Sequence, residues 1–121
     1  MDFDDGTREI INVFYEVYNK LGFGFLEAVY EEAMALEFKR RGVDFGRQVG
    51  IDVLYKGEKC KDYVVDFIVG DVVVEIKAKS CLSRVDDAQL INYLKGTGKQ
   101  IGLLLNFGGE EPEFKRRVFG L

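Results

Sequence analysis

Apolar residues at Ile10, Ile11, Phe14, Val17, Tyr18 and Leu21 recur every three or four positions, the period of a helix with one buried face. Thr7 is the expected N-cap of this helix and Gly22 its expected stop. After the turn "GFGF" a second helix is predicted over 26–41, closed by Gly42. On it Glu27, Tyr30, Met34 and Phe38 share a stripe, which places Glu27 at the border of the buried side. The period then shortens. Val49, Ile51 and Val53 alternate within an extended segment over 43–55, "YKGEK" makes a hairpin turn, and a strand over 60–69 follows. Gly70 and Asp71 form a two-residue turn into a strand over 72–78. Ser83 and Asp86 have capping-box spacing at the start of a third helix that ends near Gly96. "IGLLLNF", 101–107, has the unbroken apolarity of a strand covered on both faces. The tail "EPEFKRRVFGL" reads equally as an edge strand or a short helix. Helix, helix, three strands, helix, strand predicts an α/β sandwich with a mixed sheet.

Composition narrows the chemistry. The 121 residues suit one domain, and 47% hydrophobic with 31% charged residues and a single proline exclude extensive disorder. The acidic start, without a signal-like apolar stretch, and the lack of any membrane-length run lead to the expectation of a cytoplasmic protein without membrane contact. Cys60 and Cys81 are too few for a zinc site and are expected to serve as packed thiols. No histidine occurs, which excludes Ser-His-Asp and Cys-His catalysis and His-ligated metals. Chemistry is left to carboxylates, lysine, tyrosine, hydroxyls or an oxygen-ligated ion. A net charge of −4 and a pI of about 4.9 disfavour broad adhesion to nucleic acid. "KRR" at 39–41 and again at 115–117 reads as solvated surface.

One segment breaks the apolar pattern: "DFIVGDVVVEIKAK", 66–79. A turn at Gly70-Asp71 pairs Val69 with Val72, Ile68 with Val73, Phe67 with Val74 and Asp66 with Glu75. Two acids so paired have Cβ atoms about 4.5–5.5 Å apart, which is unfavourable unless something intervenes. Lys77 follows on the face of Glu75, while Val65, Phe67, Val69, Val72, Val74 and Ile76 are assigned to the opposite, core face. A divalent cation would turn the repulsion into binding, and oxygen ligands without His or Cys select Mg²⁺ or Mn²⁺. A wet face, or a salt-bridge network through Lys77, accounts for the same residues. Gln89 and Tyr93 lie one turn apart on the third helix, as boundary residues often do. "GTGK" at 96–99 lacks the frame of a phosphate loop and precedes a strand.

Asp66, then Glu75-Ile76-Lys77, then Gln89 with Tyr93, resembles the motif series of the PD-(D/E)XK nuclease superfamily, its exonuclease branch above all. "GFGFLEAVYEEAMALEFKRRG" with "GLLLNF" is similar to the GxxExxY proteins, so called from positions held here by Gly24, Glu27 and Tyr30. Val65 stands where the superfamily name has proline. The resemblance implies a restriction-endonuclease-like three-layer sandwich over residues 1–121 and a Mg²⁺-dependent nuclease acting on nucleic acid, DNA ahead of RNA. It implies a metal held by Asp66, Glu75 and the Ile76 carbonyl, with Glu27 as a further or water-mediated ligand. Lys77 would orient or deprotonate the attacking water, and Gln89 and Tyr93 would hold the lysine region or touch the nucleic-acid backbone. It also implies a homodimer able to engage both strands of a duplex. The alternative is an inactive nuclease-fold module that binds nucleic acid or a protein partner.

Overall fold

A computed structural model describes residues 5–120. The first helix, α1 (Thr7–Leu21), buries Ile10, Phe14, Val17 and Tyr18 of the predicted stripe and Val13 besides, with Ile11 and Leu21 partly buried against the same core. Thr7 is not its cap. Thr7 is itself buried inside the helix, and Asp5 Oδ1 accepts from the Thr7 N–H at 3.1 Å and the Thr7 hydroxyl at 2.6 Å. A carboxylate at this end also meets the positive pole of the helix dipole. Helix α2 (Glu27–Arg40) buries Tyr30, Met34, Ala35 and Phe38 and closes at Gly42, whose φ of 70° lets the chain reverse.

Four strands follow the expected course, β1 (Gly46–Tyr55), β2 (Glu58–Val69), β3 (Val72–Lys77) and β4 (Ile101–Asn106), and a fifth, β5 (Glu113–Val118), lies in the tail. Their order in the sheet is β1-β2-β3-β4-β5. All neighbours are antiparallel except β3 and β4, which are parallel and joined through helix α3 (Arg84–Thr97). The ambiguous tail is therefore a strand. Its ladder with β4 runs from Ile101↔Val118 to Asn106↔Glu113.

One core forms where α1 and α2 cover Phe67, Val72, Val74, Ile76, Leu103 and Leu105, and a second where α3 covers Val65, Val73 and Leu104. Burial on both faces explains the continuous apolarity of β3 and β4. The result is a three-layer α/β sandwich. The Ser83/Asp86 capping box is present, but α3 runs past Gly96 to Thr97 and stops at Gly98, with φ 73°. Gly96 has a packing role instead: a Cβ there would lie 3.0 Å from Ile51 Cγ2, so its absence lets β1 close over α3. The cysteines do not pack in the core. Cys60, on the overhanging β1–β2 arm, and Cys81, before α3, are both exposed free thiols.

Candidate metal centre

Strand β2 leaves β3 where the acids stand. Val69, Ile68 and Phe67 pair with Val72, Val73 and Val74 as predicted. One step on, side chains replace backbone rungs: the Asp66 N–H donates to Glu75 Oε1 at 2.9 Å, and the Ile76 N–H donates to Asp66 Oδ2 at 2.8 Å. The next rung of a regular ladder would have joined Val65 to Ile76; the Asp66 carboxylate fills that place and β2 turns as it departs. Val65 consequently joins Val73, Leu90 and Tyr93 under α3, whereas Phe67 joins the α1/α2 core. The expectation that Val65 and Phe67 share one core face is corrected by this break.

Glu75 is 5% exposed. Burial pushes its carboxyl up to about 8, with the charge of Asp66 adding to the shift and the Asp66 N–H and Lys77 opposing it. Burial likewise raises Asp66 to about 6. The Ile76 N–H and Gln48 amide counter that rise, while Glu31 and Glu27 reinforce it. Glu27 thus acts on both acids through space, although its side chain is exposed and not at the buried border that its stripe predicts.

Two residues that the motif reading passes over complete the cluster. Gln48 Nε2 donates to Glu31 Oε1 at 2.5 Å and to Asp66 Oδ1 at 3.2 Å. Arg47 in turn contacts Glu31 Oε2 at 2.9 Å and Glu32 Oε2 at 2.8 Å. Glu31 lies one helical turn after Glu27, a spacing that marks the shared face. Nothing in the sequence marks Gln48: its φ is 51°, and its two carboxylate partners lie on α2 and β2, distant along the chain.

Lys77 Nζ donates to Gln89 Oε1 at 3.1 Å, so these two predicted residues do meet. Tyr93 is 6% exposed and packs edge-on against Tyr63, with ring centroids 5.4 Å apart. Burial first, then the negative charges of Glu75 and Asp66, pushes its phenol up to about 12. It stays protonated, a potential donor beside the acids.

The donor set fits a hard cation. Side chains at Asp66 and Glu75 offer carboxylate oxygens, and the Ile76 carbonyl, on the same strand edge as the Ile76 N–H, faces the gap that β2 leaves. Lys77, one residue on, turns its carbonyl the other way to accept from the Phe107 N–H at 2.9 Å. Among the described residues no three Asp, Glu or Cys side chains converge closely enough to enclose an ion unaided. Mg²⁺ and Mn²⁺, which retain several waters, suit such a partial site; an ion needing a full protein cage does not.

Other candidate features fall away. The "GTGK" loop lines a surface depression with Gly70 and Asp71, at the end of β3 remote from Lys77. Both basic runs are largely engaged in ion pairs: Arg41 with Glu37 and Glu9, Arg116 with Asp5, and Arg117 with Asp87.

A mixed sheet between helical layers, opening at its centre onto a lysine and two acids that each bond a backbone N–H of the other's strand, defines a nuclease-like α/β domain. The chain belongs to the PD-(D/E)XK nuclease superfamily, whose profile matches residues 4–117. Members of that superfamily are usually nucleases and generally use divalent metals. Among solved structures it is similar to the crystal structure of SSO0001, at 18% identity and a TM-score of 0.59, over 78% of this chain and 50% of that one. The chain thus spans half the length of that protein, and the likeness is one of fold. Comparison with curated proteins finds no match.

Proposed function

We propose that this chain is a Mg²⁺- or Mn²⁺-dependent phosphodiesterase that cleaves nucleic acid, DNA or RNA. The carrying observation is that the Asp66 and Glu75 carboxylates each accept a backbone N–H of the other's strand where β2 parts from β3, with Lys77 two residues further on. Asp66, Glu75 and the Ile76 carbonyl would hold the cation, with Glu27 reaching it directly or through water. When bound, the cation supplies Lewis acidity and lowers the pKa of its water. Lys77, steered by Gln89 Oε1, would orient the attacking water and offset charge gathering on the phosphate. Tyr93, held protonated, would donate toward the same region.

Incubation with single- and double-stranded DNA and RNA in Mg²⁺ or Mn²⁺ tests the reading, with Asp66→Ala and Lys77→Ala alongside. Cleavage by the parent and not by the variants supports it; cleavage that survives both substitutions, or none at all, defeats it. A binding module without catalysis is the second reading, favoured by the acidic rim of Glu27, Glu31 and Glu32 and by basic runs engaged in ion pairs. Calorimetry with Mn²⁺ separates the two, since only a working centre loses its heat of binding on Glu75→Ala. A homodimer belongs to the same proposal, with exposed Phe23, Phe25 and Leu26 available for contact; a monomer by light scattering removes it.

A further inference from the structure

We propose that Gln48 is a positioning residue that fixes the Asp66 carboxylate for cation binding. Its importance for metal rests on the function proposed for Asp66; its geometry does not. Asp66 has one oxygen, Oδ2, held by the Ile76 N–H at 2.8 Å, and the other, Oδ1, held by Gln48 Nε2 at 3.2 Å. With both oxygens restrained the carboxylate cannot rotate. The Gln48 amide nitrogen also meets Glu31 Oε1 at 2.5 Å, and because both partners are carboxylates only the NH₂ end of the amide satisfies them. A neutral donor thereby sits between two anions that would otherwise repel, and joins α2 to the centre of the sheet.

The backbone points the same way. Gln48 adopts φ 51°, a left-handed conformation that a residue with a side chain seldom takes. It falls between the pairs Arg47↔Phe67 and Val49↔Val65, opposite Asp66, where neither residue appears in the ladder. Glycine would occupy the position without strain, yet a long amide stands there. Strain kept at one residue, whose side chain is the link from Glu31 to Asp66, marks a position selected for what that side chain touches. Gln48 is exposed, so no demand of core packing accounts for it.

Two variants separate positioning from stability. Gln48→Gly relaxes the backbone and deletes the amide; Gln48→Asn tolerates the left-handed backbone but is one methylene too short to span both carboxylates. Each is expected to melt, metal-free, within a few degrees of the parent and to bind Mn²⁺ about tenfold more weakly by calorimetry, the loss of one hydrogen bond to a charged group. A metal-free double-mutant cycle of Gln48→Gly with Asp66→Asn, read as melting temperature, is expected to be non-additive. Additive effects overturn the inference outright, as does either variant binding Mn²⁺ as tightly as the parent. A non-additive cycle in a parent that binds no Mn²⁺ instead leaves the Gln48–Asp66 link standing and defeats the nuclease reading.

Discussion

Asp66 and Glu75 each secure the strand of the other: the Asp66 N–H bonds Glu75 Oε1, and Asp66 Oδ2 takes the Ile76 N–H beside Glu75. The two carboxyls are therefore locked together by backbone donors and cannot swing apart into water. Ionising both in the metal-free sheet sets two negative charges against each other.

Stability without metal should therefore fall as pH rises. Both folded-state pKa values, about 6 for Asp66 and about 8 for Glu75, exceed the ordinary 3.8 and 4.5. Between those limits the native state binds more protons than the unfolded chain, so the slope of stability against pH is negative. In chelator, the melting temperature should decline from about pH 4.5 to pH 8 beyond any general charge effect. Glu75→Gln should flatten the decline and raise the pH 8 melting temperature by roughly 4–8 °C, on the order of 1–2 kcal/mol. An equally steep decline in Glu75→Gln would show that the acid pair is not its source.

Metal should reverse that loss. Mn²⁺ at a hundredfold excess over its dissociation constant contributes about 2.7 kcal/mol to the native state. The rise in melting temperature should be larger at pH 8 than at pH 5.5, because the ligands must be deprotonated to bind. Asp66→Ala should abolish it; scanning calorimetry with and without Mn²⁺ decides.

Lys77 and Gln89 should act on turnover more than on the ion. Lys77→Ala is expected to lower kcat by about 10²-fold or more while Mn²⁺ affinity stays within a few-fold of the parent. Gln89→Ala, which frees Lys77 Nζ from its 3.1 Å contact, should lower kcat by a smaller factor, about tenfold. Single-turnover kinetics beside calorimetry checks both, and a collapse of metal affinity in Lys77→Ala would assign that lysine to holding the centre together.

Tyr30 should matter for the fold and not for the chemistry. Its ring stacks on Phe107 with centroids 4.4 Å apart, and its hydroxyl donates to the Gly22 carbonyl at 2.6 Å while accepting from the Phe25 N–H at 3.1 Å. Tyr30→Phe keeps the stack and orphans both backbone groups, for a loss of roughly 1–3 kcal/mol in chemical denaturation. Per folded molecule, activity should be unchanged.

Much of this molecule is legible along the chain because its signals are local. The stripe of Ile10, Phe14 and Val17, the turns at Gly70-Asp71 and Gly42, and the Ser83/Asp86 box each depend on residues a few positions apart. The two-residue turn also determined the register from Val69↔Val72 to Phe67↔Val74, which brings Asp66 toward Glu75 before any tertiary contact is considered. What that reading could not reach depends on distant groups competing for the same backbone atoms. Only the folded sheet decided that the Asp66 carboxylate would displace a rung and send Val65 to the other core, that Gln48 would strain its backbone to join Glu31 with Asp66, and that Gly6 would stand at the N-cap of α1 in place of Thr7, with Asp5 bonding the Thr7 N–H. Periodicity records which side of an element is apolar; it carries no information on which of several nearby donors and acceptors will win a buried bond, because that choice is made by packing in three dimensions.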